Sequence, residues 1–171
     1  MAAAAAAIGL VFGMNLVKIS EALSYYQAPP RRMKLIAGVK GSFIIDDSYN
    51  ASPLSMHGAL DTLKSLNSET RKIGVLGDML EIGKYTLESH EAIGAFAAKI
   101  LDILVTVGPR AKFIAESAQK SGLAKKNIFS FDLVDEAKLK VQELIKKGDI
   151  VLVKASRAIG LDKVVEEIRQ I

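Results

Sequence analysis

Three short segments carry side chains able to do chemistry at close spacing. They are Asp46-Asp47-Ser48-Tyr49-Asn50-Ala51-Ser52-Pro53, Gly77-Asp78-Met79-Leu80-Glu81 and Lys154-Ala155-Ser156-Arg157. Together they offer carboxylates, a phenol, an amide, a lysine and an arginine. That inventory describes a polar, mixed-charge site and not an apolar ligand pocket. Taken singly, Asp and Asn after a strand also serve as loop and cap formers. Other chemistries are excluded by what is missing. There is no cysteine, so thiol catalysis, disulfides and Cys-ligated zinc or iron–sulfur sites are ruled out. His57 and His90 are the only histidines, too few for a His-rich metal site. The chain has no G-x-x-x-x-G-K-[ST] loop, no G-x-G-x-x-G after its first strand and no G-x-S-x-G elbow, so it brings no triphosphate cradle of its own.

Each of the three segments follows a short apolar run, and those runs are what must position them. Residues 34–39 and 42–46 read as two strands of a hairpin around Lys40-Gly41. Residues 72–76, 103–107, 128–131 and 150–153 read as further strands. They are rich in β-branched residues and alternate little, as central parallel strands covered on both faces do. Helices are predicted between them. Ser52-Pro53 is a strong helix start, Ser as N-cap and Pro at the first position, with Ala59, Leu60, Leu63 and Leu66 as its apolar stripe. Residues 90–100, 110–119, 134–146 and 161–171 complete the set. Strand-then-helix units repeated five times predict a doubly wound, mostly parallel α/β sheet with right-handed crossovers. In such a sheet ligands bind outside the carboxyl ends of the strands, where all three polar segments fall.

The first thirty residues differ. Residues 2–12 contain six consecutive alanines after Met1 and no charge, and Gly13 follows as a helix stop. No Lys or Arg precedes the run, so the basic start of a secretory signal is absent, and it is too short to span a bilayer. It is expected to be a close-packed helix. Residues 15–26 predict a second helix, with Leu16, Ile19, Leu23 and Tyr26 on one face. Helices this apolar need something to cover them. Ala28-Pro29-Pro30-Arg31-Arg32 marks a domain boundary, giving residues 1–30 as an N-terminal helical appendage and 31–171 as the α/β domain. Lysine and arginine number 23 against 19 acidic residues, a net charge of +4 that is spread along the chain. It reads as a solvated Lys-rich surface, with neither nucleic acid nor membrane as partner.

The three polar segments, with Val75-Leu76 before the second, Ile82-Gly83 after it, and His90, resemble the C-terminal domain of Mur ligases. Among these the pattern is most similar to the type that joins D-alanyl-D-alanine to UDP-N-acetylmuramoyl-tripeptide in peptidoglycan precursor synthesis. The resemblance runs from about Ala2 to Arg169 and implies a piece of a longer, cytoplasmic, ATP-dependent ligase. The N-terminal helices would then be the last helices of a central ATPase domain. The UDP-binding domain and most of the central domain, with the P-loop and the ligands of Mg²⁺, would lie outside this sequence, leaving the chain alone inactive in ligation. Within the family reaction a carboxylate is phosphorylated by ATP, the amine of D-alanyl-D-alanine attacks the acyl phosphate, and the C-terminal domain closes over the nucleotide.

On this resemblance Arg32, Asp47, Tyr49 and Asn50 are ATP-binding residues: Arg32 reaches the phosphates, and Tyr49 and Asn50 lie against the adenosine. Lys154, Ser156 and Arg157 match the family's Lys-Gly-Ser-Arg and face the amino substrate, unless Lys154 pairs with a loop carboxylate instead, with Asp78 and Glu81 at its ammonium end or capping a turn. No catalytic residue and no metal ligand is expected in the chain. Ser52 stands where the family often has Asn, and Ala155 where it often has Gly. Two other readings compete. Acidic residues after two strands and Lys154 after the last would also suit a receiver domain phosphorylated on Asp78, and the same fold suits a non-catalytic α/β binding domain.

Overall fold

The computed structural model describes residues 2–27, 29–66 and 69–170. Ala28 of the predicted boundary and Ile171 at the predicted end of the last helix lie outside them. Six strands form one sheet: β1 (Lys34–Gly38), β2 (Ser42–Asp46), β3 (Lys72–Gly77), β4 (Ile103–Val107), β5 (Ile128–Phe131) and β6 (Ile150–Lys154). Their spatial order is β1-β2-β6-β3-β4-β5. Only β1 is antiparallel to its neighbour. It pairs with β2 from Lys34 opposite Asp46 to Gly38 opposite Ser42, and the predicted turn is closed by Lys40 (φ 57°) and Gly41 (φ 72°).

Helices α3 (Pro53–Ser65), α4 (Thr86–Ala97) and α5 (Ala111–Lys120) cover one face of the sheet. Their Met56, Leu60, Leu63, Ile93 and Ile114 pack on Leu76, Leu104 and Leu152. On the other face lie α6 (Val134–Leu144) and α7 (Asp162–Ile168), whose Val141, Val164 and Ile168 pack on Ile73, Val105 and Val151. Side chains on the central strands therefore meet a helix whichever way they point, which is why their sequence shows no alternation. Burying one such Leu or Ile stabilises the fold by about 1.5–3 kcal/mol. The doubly wound three-layer prediction holds.

Two boundaries shift for identifiable reasons. α4 starts at Thr86, before the predicted 90, because a one-turn 3-10 helix, Gly83–Tyr85, feeds straight into it. α7 stops at Ile168 because Arg169 turns extended and pairs with the edge of the sheet: it bridges Gly38, and Gln170 N–H donates to the Ala37 carbonyl.

Both predicted N-terminal helices form, α1 (Ala2–Val11) and α2 (Leu16–Ser24), but α1 is packed along one side only. The two pack on each other through Gly9, where a Cβ would come within 3.0 Å of Ile19 Cγ1. Elsewhere their apolar side chains are open, with Val11 85% and Phe12 82% exposed. Asn15 caps α2 by accepting from Lys18 N–H at 2.9 Å, so the helix itself is well specified. No described helix is long and apolar enough to cross a membrane.

Candidate functional site at the carboxyl ends of β2, β6 and β3

β6 is inserted between β2 and β3, so the loops leaving the carboxyl ends of these three strands are neighbours on one rim. The helix after β2 lies on one face and the helix after β6 on the other. A crevice opens where adjacent crossovers diverge in this way, and it is the usual ligand position in such sheets.

Asp47 and Lys154 join two of the loops. Lys154 Nζ donates to Asp47 Oδ2 at 2.5 Å and to the Asn50 carbonyl at 2.9 Å, with 3% of the lysine side chain and 13% of the aspartate exposed. The other Asp47 oxygen, Oδ1, accepts from Met33 N–H at 3.0 Å, and Tyr49 N–H donates to the Arg31 carbonyl at 3.1 Å. These two bonds hold the entering segment 31–33, in which Arg31 (φ 62°) and Met33 (φ 53°) both sit in the left-handed region that non-glycine residues rarely adopt. Arg31 also pairs with Asp162 at 2.9 Å. Asp46 folds the start of the loop, accepting from Ser48 N–H and Ser48 Oγ. Ser52 ends it as a reciprocal cap with Ser55, with Pro53 at the first helical position.

Two cavities flank this loop. The first, about 560 Å³, is lined by Tyr26, Arg32, Asp47, Tyr49, Asn50 and Lys154, among others. The second, about 770 Å³, is lined by Tyr49, Ser52, Leu80, Glu81, Ser156 and Arg157 with their neighbours. The segment Tyr49–Asn50–Ala51–Ser52 is common to both and forms the wall between them. Tyr49 carries cations from both sides of the partition: Arg32 lies 4.2 Å and Arg157 5.6 Å from its ring centroid.

The structure thus brings Arg32, Asp47, Tyr49 and Asn50 together in one cavity and Glu81 and Arg157 in the other. For Asp78 and Lys154 the structure selects the structural alternative, and Ser156 departs from its expected place facing the amino substrate. Asp78 is 1% exposed and lines neither cavity. Its Oδ1 accepts from Ala111 N–H at 2.7 Å and its Oδ2 lies 3.5 Å from Arg110, so it caps the start of α5 instead of meeting an ammonium group. Lys154 spends its ammonium on Asp47 and Asn50 and belongs to the first cavity, so it is not the cation that would meet a dipeptide carboxylate. Ser156 Oγ accepts from Leu80 N–H at 2.8 Å, so its hydroxyl ties the β3 loop to the β6 loop. Ala155, standing where the family often has glycine, points its methyl at Gly77 and not at a cavity. A Cβ on Gly77 would lie 2.6 Å from it, so the glycine makes the room.

The receiver reading fails on the same facts, because an acceptor aspartate must be reachable and Asp78 is enclosed while Lys154 binds another carboxylate. His57 stacks on Phe96 at 4.1 Å between α3 and α4, as a packing residue. Tyr26, Met33, Thr62 and Ile82 also line the cavities, though the sequence does not mark them as site residues. Tyr26 lies beyond the end of α2, and nothing in its spacing distinguishes a cavity wall from an apolar stripe. Among the described residues no three His, Asp or Glu side chains gather as a metal site. Another close charge pair lies at the opposite rim, where the Arg71 fork meets Asp149 at 2.8 and 2.5 Å and that hydrogen bonding raises the arginine pKa.

The fold is a doubly wound α/β domain with two adjoining cavities at the carboxyl ends of its strands. Residues 31–157 match the family described as Mur ligase, glutamate ligase domain, and the chain belongs to that family, as the C-terminal domain of such an enzyme. Its relatives include the UDP-N-acetylmuramoyl-tripeptide–D-alanyl-D-alanine ligase of Bacillus subtilis, 36% identical over 98% of this chain and 36% of the relative. A crystal structure of MurF from Acinetobacter baumannii superposes with a TM-score of 0.80 at 30% identity, covering 97% of this chain and 36% of that one. MurF ligase from Thermotoga maritima in complex with ADP gives a TM-score of 0.75 at 28% identity, covering 94% and 35%. The chain therefore spans about a third of the length of these relatives.

Proposed function

We propose that this chain supplies the nucleotide-closing and amino-substrate walls of an ATP-dependent ligase that joins D-alanyl-D-alanine to UDP-N-acetylmuramoyl-tripeptide. The first cavity takes the nucleotide. Tyr49 and Asn50 lie against the adenosine, and Arg32 offers a guanidinium fork to the phosphates. Asp47 sets the entering segment, and Lys154 keeps Asp47 and Asn50 in place. The second cavity takes the dipeptide, with Arg157 facing its carboxylate and Glu81 its ammonium end. Asp78 holds a loop and touches no substrate, and Ser156 ties the β3 loop to the β6 loop at the wall of the second cavity. Mg²⁺, when bound, screens the ATP phosphates, and its ligands belong to other parts of the ligase.

In the reaction the acceptor carboxylate takes the terminal phosphoryl group of ATP and releases ADP. The dipeptide amine then attacks the acyl carbon, inorganic phosphate leaves, and the amine gives up a proton. This chain contributes by orienting the amine and keeping water from the acyl phosphate. The observation that supports the reading is the wall Tyr49–Ser52 common to both cavities, which would stand between nucleotide and amine. We place residues 1–30 as the terminal helices of the preceding ATPase domain, whose surface would cover Val11, Phe12 and Val17.

The test is a chimera in which this chain replaces the matching third of the Bacillus subtilis relative. ADP release that requires both the muramoyl tripeptide and D-alanyl-D-alanine is expected. A folded chimera that hydrolyses or ligates nothing, beside an active parent, overturns the proposal.

A further inference from the structure

The β3 loop that carries Glu81 into the second cavity is held by three successive backbone N–H groups, each donated to a different element. Asp78 N–H goes to the Val107 carbonyl of β4 at 3.2 Å, Leu80 N–H to Ser156 Oγ at 2.8 Å, and Met79 N–H to His90 Nε2 on α4 at 3.0 Å. The imidazole is fully buried. Because Nε2 accepts, the proton of a neutral ring sits on Nδ1, and Nδ1–H donates to the Thr86 carbonyl at 2.7 Å. Both ring nitrogens are therefore used, and the tautomer is fixed by a helix carbonyl that can only accept. One residue beyond Leu80, Glu81 sits at φ 62°, a conformation that a side chain with a Cβ keeps only where its neighbours are pinned.

We propose that His90 is a positioning residue for the second cavity: as the acceptor for Met79 N–H it fixes the turn that presents Glu81 opposite Arg157. Among the described residues His90 Nε2 alone accepts from that buried N–H. Removing the ring nitrogen strands a buried donor, and the loop relieves this by moving. The first cavity has no wall in the β3 loop, so its ligand is indifferent to His90. The ligand named for the second cavity rests on the function proposed above; the hold of His90 on the loop does not.

The 171-residue chain is compared with His90→Leu, which keeps bulk without an acceptor, and His90→Gln, whose amide oxygen can stand near the place of Nε2. Amide hydrogen exchange is followed at Met79, Leu80 and Glu81, and dissociation constants are measured separately for D-alanyl-D-alanine and for ADP. His90→Leu is expected to speed exchange at Met79 by about tenfold or more. It is expected to weaken the dipeptide by about fivefold and leave ADP unchanged. His90→Gln is expected to recover most of both losses. Unchanged exchange at Met79 in His90→Leu, or equal weakening of both ligands, overturns the proposal. Should His90→Leu not fold, nitrogen-15 NMR of the wild-type ring decides: Nδ1 protonated and Nε2 bare supports it, the reverse overturns it. A wild-type chain that binds no dipeptide, with a loop that still loosens in His90→Leu alone, supports the hold of His90 and overturns the ligand assigned to the cavity.

Discussion

Lys154→Met removes the cation that joins the β2 and β6 loops and leaves the shape of the side chain almost unchanged. In the native chain the ammonium meets Asp47 Oδ2 at 2.5 Å and the Asn50 carbonyl at 2.9 Å, and the Lys154 and Asp47 side chains are both largely shielded from water. Deleting one member of a buried pair strands the other charge and costs about 3–5 kcal/mol. Asp47 keeps some exposure, 13%, and retains the Met33 N–H, so the lower end, about 3 kcal/mol, is expected here. For a chain of this size that corresponds to a fall in Tm of about 6–12 °C. Asp47→Asn/Lys154→Met removes both charges while the amide oxygen still accepts from Met33 N–H, so most of the loss should return, to within about 1 kcal/mol of wild type. Urea unfolding followed by circular dichroism measures all three proteins. A single variant that loses less than about 1 kcal/mol, or a double variant no more stable than the single, would refute the claim that Lys154 acts through Asp47.

Further outcomes follow from other parts of the structure. Tyr49→Ala should weaken ADP binding by about tenfold, because stacking on a ring contributes about 1–3 kcal/mol, while Tyr49→Phe keeps the ring and stays near wild type; calorimetry reads both. Gly94→Ala would drive a Cβ into the Ile114 carbonyl oxygen and within 2.8 Å of Ser117 Cβ, prising α4 from α5. A loss of about 2–3 kcal/mol in urea unfolding is expected. Asp149→Asn breaks the fork with Arg71 and should cost about 2 kcal/mol. The arginine pKa is raised by its hydrogen bond to Asp149, so this stabilisation is fully present below the ordinary arginine value and is lost only as pH rises beyond it. The difference in Tm between wild type and Asp149→Asn should therefore be the same at pH 6 and pH 9.

The sequence was most legible where one residue's local chemistry decides the outcome. Ser52-Pro53 can hardly be anything but a helix start, and α3 begins there. Gly13 and Gly41 stop or turn the chain where their positive φ is needed. The apolar runs announced strands buried on both faces, but such runs carry no mark of which neighbour they pair with. That β6 sits between β2 and β3 was therefore not readable, although this placement is what gathers the three polar loops. Asp78 stays ambiguous in the sequence for a related reason. A carboxylate after a strand looks the same whether it faces a ligand or caps a helix 33 residues further on. Lys154 and Ser156 were placed on the correct rim, but whether their polar atoms face ligand or another loop depends on contacts more than 70 residues away in sequence. Ala155 is the converse case, since its fit depends on Gly77 across the strand pair.

The most direct test of the two-cavity site is backbone NMR of the chain titrated first with ADP and then with D-alanyl-D-alanine. Shifts caused by ADP should centre on Arg32, Asp47, Tyr49 and Asn50, and those caused by the dipeptide on Glu81, Ser156 and Arg157, with Tyr49–Ser52 responding to both. ADP shifts centred at the opposite rim around Lys40 and Gln142, or one undivided set for both ligands, would contradict it.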